Sequence, residues 1–240
     1  MGKAIAGALK ENDRKVKVFA VDLGYPSRKT AEKYIKGSDF IILAVKPYDA
    51  SEALRKIKNH IKQNTIIISI MAGMSIKKLV RLSAHKKIIR IMPNLGLSVG
   101  EGIAVWKAAG LSKMELKKVK LFIGKITDNF EVKNEDMINK VTAVSGSGPA
   151  YFFTLAESML RAAIKLGLKK NEGRKLVEKT FSAAEALAKN ADYSTLVKKV
   201  ASKGGTTEAA LKVFNKEKFA KTVERAVNSA YKRAKEINNE

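Results

Sequence analysis

Residues 40–47 read Phe-Ile-Ile-Leu-Ala-Val-Lys-Pro, and this stretch decides how the first half of the chain folds. Its apolar residues follow one another without alternation, which is typical of a strand buried on both faces of a parallel sheet. Three further runs rich in Ile and Val cover residues 16–21, 65–70 and 87–92. The stretches between the later runs have apolar residues at helical spacing. The resulting pattern βαβαβ predicts an α/β doubly wound domain.

The stretches between the strands carry signals for helix starts. Residues 50–61 follow Asp49, and residues 75–82 begin at Ser75; both side chains suit a helix N-cap. A later strand and a later helix are predicted at residues 102–106 and 113–122.

The second half of the chain changes character near Val132. It has almost no strand signal and reads as successive helices, predicted at residues 134–144, 148–167, 171–188, 194–200, 206–214 and 217–237. We therefore predict an α/β domain over residues 1–132 followed by an all-helical domain over residues 133–240. The cleft between two such domains is the expected ligand site.

Composition narrows the class of protein. The chain has 240 residues and no cysteine, which excludes disulfides, thiolate metal sites and cysteine nucleophiles. No apolar run is long enough to span a membrane and no secretory signal is visible, so a cytoplasmic protein is expected. The net charge is +24, but no basic run is interleaved with aromatic residues as in single-strand binders. A lysine-rich solvated surface explains the charge better than nucleic-acid binding does.

Three strand ends carry small or polar residues suited to a cofactor. They are Ala44-Val45-Lys46-Pro47, Met71-Ala72-Gly73 and Met92-Pro93-Asn94. In doubly wound sheets, ligands bind beyond the carboxyl ends of the strands, and small residues let the backbone approach them closely. Three adjacent ends of this kind predict a cofactor ledge.

Two glycine-rich stretches open helices in the second half. The first is Ser145-Gly146-Ser147-Gly148-Pro149-Ala150-Tyr151, and the second is Ser202-Lys203-Gly204-Gly205-Thr206-Thr207. Free N–H groups at a helix start, flanked by hydroxyls, make an anion site that suits a carboxylate. A plain helix cap is the alternative interpretation of each stretch.

Taken in order, these motifs resemble those of the pyrroline-5-carboxylate reductase family. The matching strings are residues 1–6, 44–47, 71–73, 90–94, 100–104, 145–151 and 202–207. The resemblance implies a Rossmann-type cofactor domain and a helical domain that forms an intertwined homodimer, with rings of five dimers as a further assembly. It also implies an NAD(P)H-dependent reductase that delivers hydride to the cyclic imine 1-pyrroline-5-carboxylate, giving L-proline.

The resemblance also implies roles for particular residues. Backbone N–H groups around Gly205 and Thr206 would hold the substrate carboxylate, and the Thr207 hydroxyl would orient the ring nitrogen as the catalytic contact. The substrate-binding set is Ser202, Gly204, Gly205, Thr206 and Thr207. The cofactor-binding set is Gly2, Ser27, Arg28, Ala44, Val45, Lys46, Pro47, Ala72, Gly73 and Asn94. No metal is expected.

The sequence departs from the family pattern in four places. Gly2 matches the third glycine of the family's G-x-G-x-x-G loop, so the preceding strand and two glycines are missing; we expect a misassigned start codon rather than decay. The segment after Asp22 is shorter than usual, Leu95-Gly96 replaces Thr-Pro, and Lys203 replaces a proline.

The residues that would choose between NADH and NADPH point in two directions. Asp22 has the spacing of an NAD ribose ligand, whereas Ser27 and Arg28 would take a 2′-phosphate. We favour NADPH over NADH.

Two other classes of protein stay open at this point. A β-hydroxyacid-type dehydrogenase would need a catalytic lysine in the second half, either Lys165 or Lys169. A non-catalytic protein, either a decayed paralogue or a basic nucleic-acid binder, is the other. The 202–207 string argues against the dehydrogenase, and the non-catalytic alternative stays open: an in-frame strand plus G-x-G in the coding DNA upstream of Met1 would favour the enzyme.

Overall fold

The computed structural model describes residues 1–22 and 27–239. Within them a sheet of five strands comes first, flanked by helices, and a run of helices follows. The strands are β1 (Phe40–Leu43), β2 (Ile66–Ser69), β3 (Ile88–Pro93), β4 (Ile103–Ala109) and β5 (Asp128–Glu131). The helices are α1 (Gly2–Asn12), α2 (Arg28–Gly37), α3 (Ala50–Ile57), α4 (Ile76–Ser83), α5 (Lys113–Gly124), α6 (Asp136–Val141), α7 (Gly148–Lys165), α8 (Lys170–Ala188), α9 (Tyr193–Val200), α10 (Thr206–Lys216) and α11 (Phe219–Asn239).

The strands lie side by side in chain order. β1, β2 and β3 are parallel, β4 runs antiparallel to β3, and β5 is parallel to β4. The predicted strands at 40–45, 65–70, 87–92 and 102–106 are confirmed. β5 escaped the sequence analysis because Asp-Asn-Phe-Glu at the sheet's edge has no apolar pattern.

Successive isoleucines in β2 build a core on each face of the sheet. Ile67 packs with Leu54 of α3 and Leu79 of α4, whereas Ile66 and Ile68 face α5. Side chains alternate between faces along a strand, so a continuous apolar run serves two cores at once. The doubly wound prediction rested on this property and is confirmed.

The predicted strand at residues 16–21 is wrong. These residues have no strand pairing, although Val16 and Val18 pack against the apolar cluster around Ile5 and Leu9. A strand persists only when a neighbour takes up its backbone hydrogen bonds. None of the five described strands pairs with this run, and β1 is an edge strand of the sheet.

The helical predictions for the second half are confirmed within a few residues at each end, apart from residues 134–144. There α6 ends at Val141 and a wider π-type turn follows over residues 142–146. The Ser147 N–H donates to the Thr142 carbonyl, five residues earlier, at 2.8 Å. One extra residue in a turn of this kind rotates the side chains that follow it.

The chain forms two compact units. The sheet unit contains residues 1–149 and the end of α11 from Ser229, and the helical unit contains residues 150–228. Residues 133–149 join the sheet unit because Val132 and Ile138 pack against Met92 and Val105. The domain boundary predicted at residue 132 divides the chain by function, into a cofactor domain and a substrate and dimerisation domain. It stays a prediction.

The helical unit is nearly without a core of its own. All of residues 150–228 are described, and only Gly173 among them is buried. Large apolar side chains on its helices are instead exposed: Phe152, Phe153, Leu155, Leu176 and Phe181. None of the described helices is long and apolar enough to cross a membrane.

Candidate active site

The carboxyl ends of β1, β2 and β3 share one edge of the sheet. Leu43 pairs with Ser69, and Ser69 pairs with Arg90, so the ends of parallel strands come together there. Ala44, Ala72 and Asn94 follow these strands directly or within three residues. The structure therefore brings the three predicted ledge segments to the same edge.

The first helix points its N-terminus at this edge. A Cβ added to Gly2 would lie 2.9 Å from the Ala44 Cβ, so α1 approaches the end of β1 as closely as a glycine allows. Its N-cap, Met1, offers no side-chain acceptor to the first N–H groups. A helix start with free N–H groups suits the pyrophosphate of a dinucleotide. Gly2 and the 44–47 turn therefore fit a nucleotide cofactor.

The turn after β2 is shaped by the end of the chain. Gly73 has a positive φ of 68°, and a Cβ there would lie 2.5 Å from the Ile237 Cβ. Ala234, one turn earlier in α11, is 4% exposed. Only glycine combines this backbone conformation with this contact. Sequence analysis placed Gly73 at the ledge for ligand access, and the structure adds the α11 contact as a second reason for glycine.

Asn94 is held in a fixed orientation at the end of β3. Its backbone N–H donates to the Ile103 carbonyl at 3.2 Å, and its Oδ1 accepts the Ile103 N–H at 3.2 Å. Its Nδ2 donates to the Ser145 Oγ at 3.2 Å. The side chain is half-buried. An amide held on both sides presents a defined donor to a ligand.

A buried arginine supports the ledge from behind, and sequence analysis missed it. Arg90 is 1% exposed; its Nη1 donates to Glu135 at 2.9 Å and its Nη2 donates to Asn139 at 2.6 Å. The same Glu135 oxygen accepts the N–H of Ile76 at the start of α4. The charge is thus paired while buried, which makes this network structural. In the sequence, the only indication of this role is the charged Arg90 within the apolar run 87–92.

The remaining cofactor candidates belong to the start of α2 and to the turn beyond β1. Ser27 is the N-cap of α2 and its hydroxyl lies 3.0 Å from that of Thr30. Arg28 begins α2, and its side chain lies outside the described residues. Val45 and Lys46 are exposed and Pro47 is half-buried, in the turn beyond β1.

The predicted substrate loop stands at the start of α10 in the helical unit. Gly204 has a positive φ of 72°, and Gly205 is the N-cap. The Gly205 N–H already donates to the Ser202 carbonyl at 3.0 Å. This N–H is therefore already bonded within the loop, and its predicted contact with the substrate stays a prediction. The Gly204 N–H is also occupied, because it donates to the Glu208 carboxylate.

In this loop, the N–H groups of Thr206 and Thr207 remain as donors for a ligand. They belong to the first turn of α10, where an N–H has no helical acceptor. A Cβ added to Gly205 would lie 2.6 Å from the Ser202 Oγ, so the loop is folded tightly onto itself. The loop therefore presents two adjacent N–H donors and two hydroxyls at one helix start.

Other kinds of site find little support. No group of three or more His, Asp or Glu side chains that would hold a metal occurs among the described residues. Lys165 ends α7 and Lys169 is the N-cap of α8, and both are exposed. Neither has the buried surroundings expected of a catalytic lysine.

Comparison with family profiles divides the chain in two. Residues 1–73 match the family described as NADP oxidoreductase, coenzyme F420-dependent. Residues 135–237 match the family described as pyrroline-5-carboxylate reductase dimerisation.

Individual relatives match over nearly the whole chain. The pyrroline-5-carboxylate reductase of Staphylococcus haemolyticus is 30% identical over 235 residues, covering 95% of this chain and 85% of that protein. The Haemophilus influenzae enzyme is 35% identical over 205 residues, covering 83% and 76%. The crystal structure of Plasmodium falciparum pyrroline carboxylate reductase, solved with NADP bound, superposes with a TM-score of 0.86 at 28% identity, covering 99% and 94%.

The ledge, the helix start beside it and the appended helices define a two-part, nicotinamide-dependent oxidoreductase. Its relatives identify the kind of oxidoreductase. The chain belongs to the pyrroline-5-carboxylate reductase family. The family resemblance, the fold class and the class of enzyme predicted from the sequence are confirmed.

Proposed function

We propose that this chain reduces 1-pyrroline-5-carboxylate to L-proline with NADPH, and with NADH less effectively. The observation that carries the proposal is one chain holding both the ledge with its helix start and the Gly-Gly-Thr-Thr start of α10. Bound NADPH supplies a hydride to the imine carbon. The chain supplies binding and orientation, because a protonated imine already carries the charge that activates it.

The ledge residues would bind the cofactor. The N–H groups at the start of α1, beside Gly2, would hold the pyrophosphate. The turn from Ala44 through Val45 and Lys46 to Pro47 would line the ribose and nicotinamide, together with Ala72 and Gly73. Asn94 would offer its amide donor from the end of β3.

The start of α10 would bind the substrate. The carboxylate would accept the N–H groups of Thr206 and Thr207, with Ser202, Gly204 and Gly205 shaping the loop. The iminium N–H would donate to the Thr207 Oγ, which fixes the ring for attack. Thr207 is thus the proposed catalytic contact.

The preference for NADPH would rest on Ser27 and Arg28. A hydroxyl and a guanidinium at the start of α2 suit a 2′-phosphate. We expect Arg28→Ala to raise KM for NADPH about 10-fold or more, the effect of losing a charge-assisted hydrogen bond. KM for NADH should stay unchanged, and an equal rise for both cofactors would contradict the assignment.

Residues 1–132 would form the cofactor domain and residues 133–240 the substrate and dimerisation domain. A homodimer would cover the exposed phenylalanines and leucines of the helical unit, which buries almost nothing by itself. Five such dimers would form a decamer. The expected place of action is the cytoplasm, where NADPH is available.

Steady-state kinetics with both cofactors test the reaction. NADPH oxidation that depends on 1-pyrroline-5-carboxylate and yields proline is the expected result. Turnover of β-hydroxyacids without turnover of the imine would overturn it. Light scattering tests the assembly, since a mass of 26.3 kDa at micromolar concentration would exclude the dimer.

A further inference from the structure

We propose that Ser145 is a positioning residue for the cofactor, acting through Asn94. The inference rests on the proposed function, because it requires Asn94 to face the cofactor. The two side chains lie 51 residues apart in sequence and join the end of β3 to the π-type turn after α6.

The orientation of the Asn94 amide follows from its partners. Ile103 offers an N–H, which only an oxygen accepts, so Oδ1 of Asn94 faces β4 and Nδ2 faces Ser145. Nδ2 carries two hydrogens, and Ser145 takes one. The other is left for a ligand at the carboxyl end of β3. Without Ser145, the Asn94 amide keeps the hydrogen bond that its Oδ1 accepts from Ile103 and loses the one that its Nδ2 donates.

The local backbone explains why Ser145 reaches Asn94. The π-type turn over residues 142–146 lies against β3, since a Cβ at Gly146 would contact the Met92 side chain at 3.7 Å. The Thr142 hydroxyl, in contrast, donates to the Ile138 carbonyl within its own helix. Of the two hydroxyls in this turn, only that of Ser145 bonds to the strand. Turns of this type occur preferentially at functional sites.

The serine two residues further on provides a matched control. Ser147 belongs to the same glycine-rich stretch and is also half-buried. Its hydroxyl makes no side-chain hydrogen bond to any described residue. Ser147→Ala therefore removes the same group from the same stretch without touching Asn94.

The experiment measures the Kd of NADPH by titration of the full chain, with melting temperature and steady-state kinetics alongside. We expect Ser145→Ala to raise Kd and KM for NADPH about 2- to 12-fold, as for one neutral hydrogen bond. KM for the imine should stay unchanged, and the melting temperature should fall by a few degrees at most, as for one lost hydrogen bond. Ser145→Thr, which keeps a hydroxyl, should restore binding, and Ser147→Ala should bind as the parent does. If Ser145→Ala does not fold, Ser145→Cys carries the same prediction.

A double-mutant cycle separates positioning from an independent contact. Asn94→Ala combined with Ser145→Ala should bind NADPH no more weakly than Asn94→Ala alone. Additive losses, or an unchanged Kd for Ser145→Ala beside a raised one for Asn94→Ala, would overturn the positioning role while leaving the ledge intact. An unchanged Kd for Asn94→Ala would remove both residues from the cofactor site. Proline formation by the parent chain tests the reaction separately.

Discussion

The hydroxyl of Tyr231 donates a hydrogen bond of 2.8 Å to the Oδ2 of Asp136, 95 residues earlier in the chain. The bond fastens the end of α11 to α6. Asp136 also accepts from Asn139, which in turn accepts from the buried Arg90. The C-terminal helix that covers Gly73 is therefore tied to the network behind the ledge.

Loss of the hydrogen bond between Tyr231 and Asp136 should lower the free energy of unfolding by an amount that depends on pH. The Tyr231 hydrogen bond lowers the pKa of Asp136 below its usual 3.8, and the carboxylate raises the pKa of Tyr231. The ionised form of Asp136 is thus the one that folding favours, so its contribution is present above pH 3.8 and is lost as the pH falls through the lowered pKa.

Tyr231→Phe tests the tie. It should lower the melting temperature by a few degrees at neutral pH, and the difference from the parent should vanish in acid. Tyr193→Phe is the matched control, because Tyr193 is 79% exposed and its hydroxyl bonds to no described residue. Melting curves from neutral to acid pH decide the matter; a difference that does not depend on pH would exclude Asp136 as the partner.

Gly73→Ala should be strongly destabilising. A left-handed backbone costs a non-glycine residue about 1–2 kcal/mol, and the clash with Ile237 adds a packing cost, giving about 2–5 kcal/mol in all. Gly100→Ala separates the two effects, because Gly100 has a φ of 78° with open space around its Cβ position. We expect only about 1–2 kcal/mol there in denaturant unfolding. Equal costs at the two positions would show that α11 does not press on this turn.

Thr207→Val should impair catalysis without impairing the fold. It keeps the shape of the side chain and removes the hydroxyl that would meet the iminium. The loss of one hydrogen bond to a charged group, about 1.5–3 kcal/mol, predicts a fall of about 10- to 150-fold in kcat/KM for the imine. The Kd of NADPH should stay unchanged.

Thr206→Ala is the comparison for Thr207→Val. The proposed contact of Thr206 is its backbone N–H, so kcat/KM should change little. If both threonines only cap α10, each substitution should instead cost about 0.5–2 kcal/mol of folding stability and leave the kinetics alone. Wild-type kinetics for Thr207→Val would remove this residue from the site.

Acid should weaken the link between β3 and α5. Lys87 lies 2.6 Å from Glu115, which also caps α5 through Ser112, and these bonds lower the pKa of Glu115 from 4.5 to about 2. The stabilisation is therefore complete above about pH 4.5 and disappears as the pH falls towards 2.

Glu115→Gln should make the free energy of unfolding depend less on pH in this acid range. Urea midpoints measured from pH 6 to pH 2 should fall less steeply for the variant than for the parent. Glu157→Gln, which alters an exposed helical ion pair with Arg161, should leave the profile unchanged. An identical slope for Glu115→Gln and the parent would contradict the assigned pKa.

The sequence by itself determined the strands β1 to β4, the helical second half and the motifs of the family. Runs such as 65–70 are apolar because they must face two cores, and that need is written in the residues themselves. The Gly-Gly-Thr-Thr helix start was readable for a similar reason, since it depends on local backbone geometry.

Only the tertiary structure decided which of the predicted strands form and which distant side chains meet. The run 16–21 is as apolar as a strand but has no described neighbour to pair with, and β5 pairs without an apolar pattern. The ties of Tyr231 to Asp136 and of Ser145 to Asn94 join residues 95 and 51 positions apart. No local pattern announces such contacts, because a hydrogen bond between distant side chains exists only once packing has brought them together.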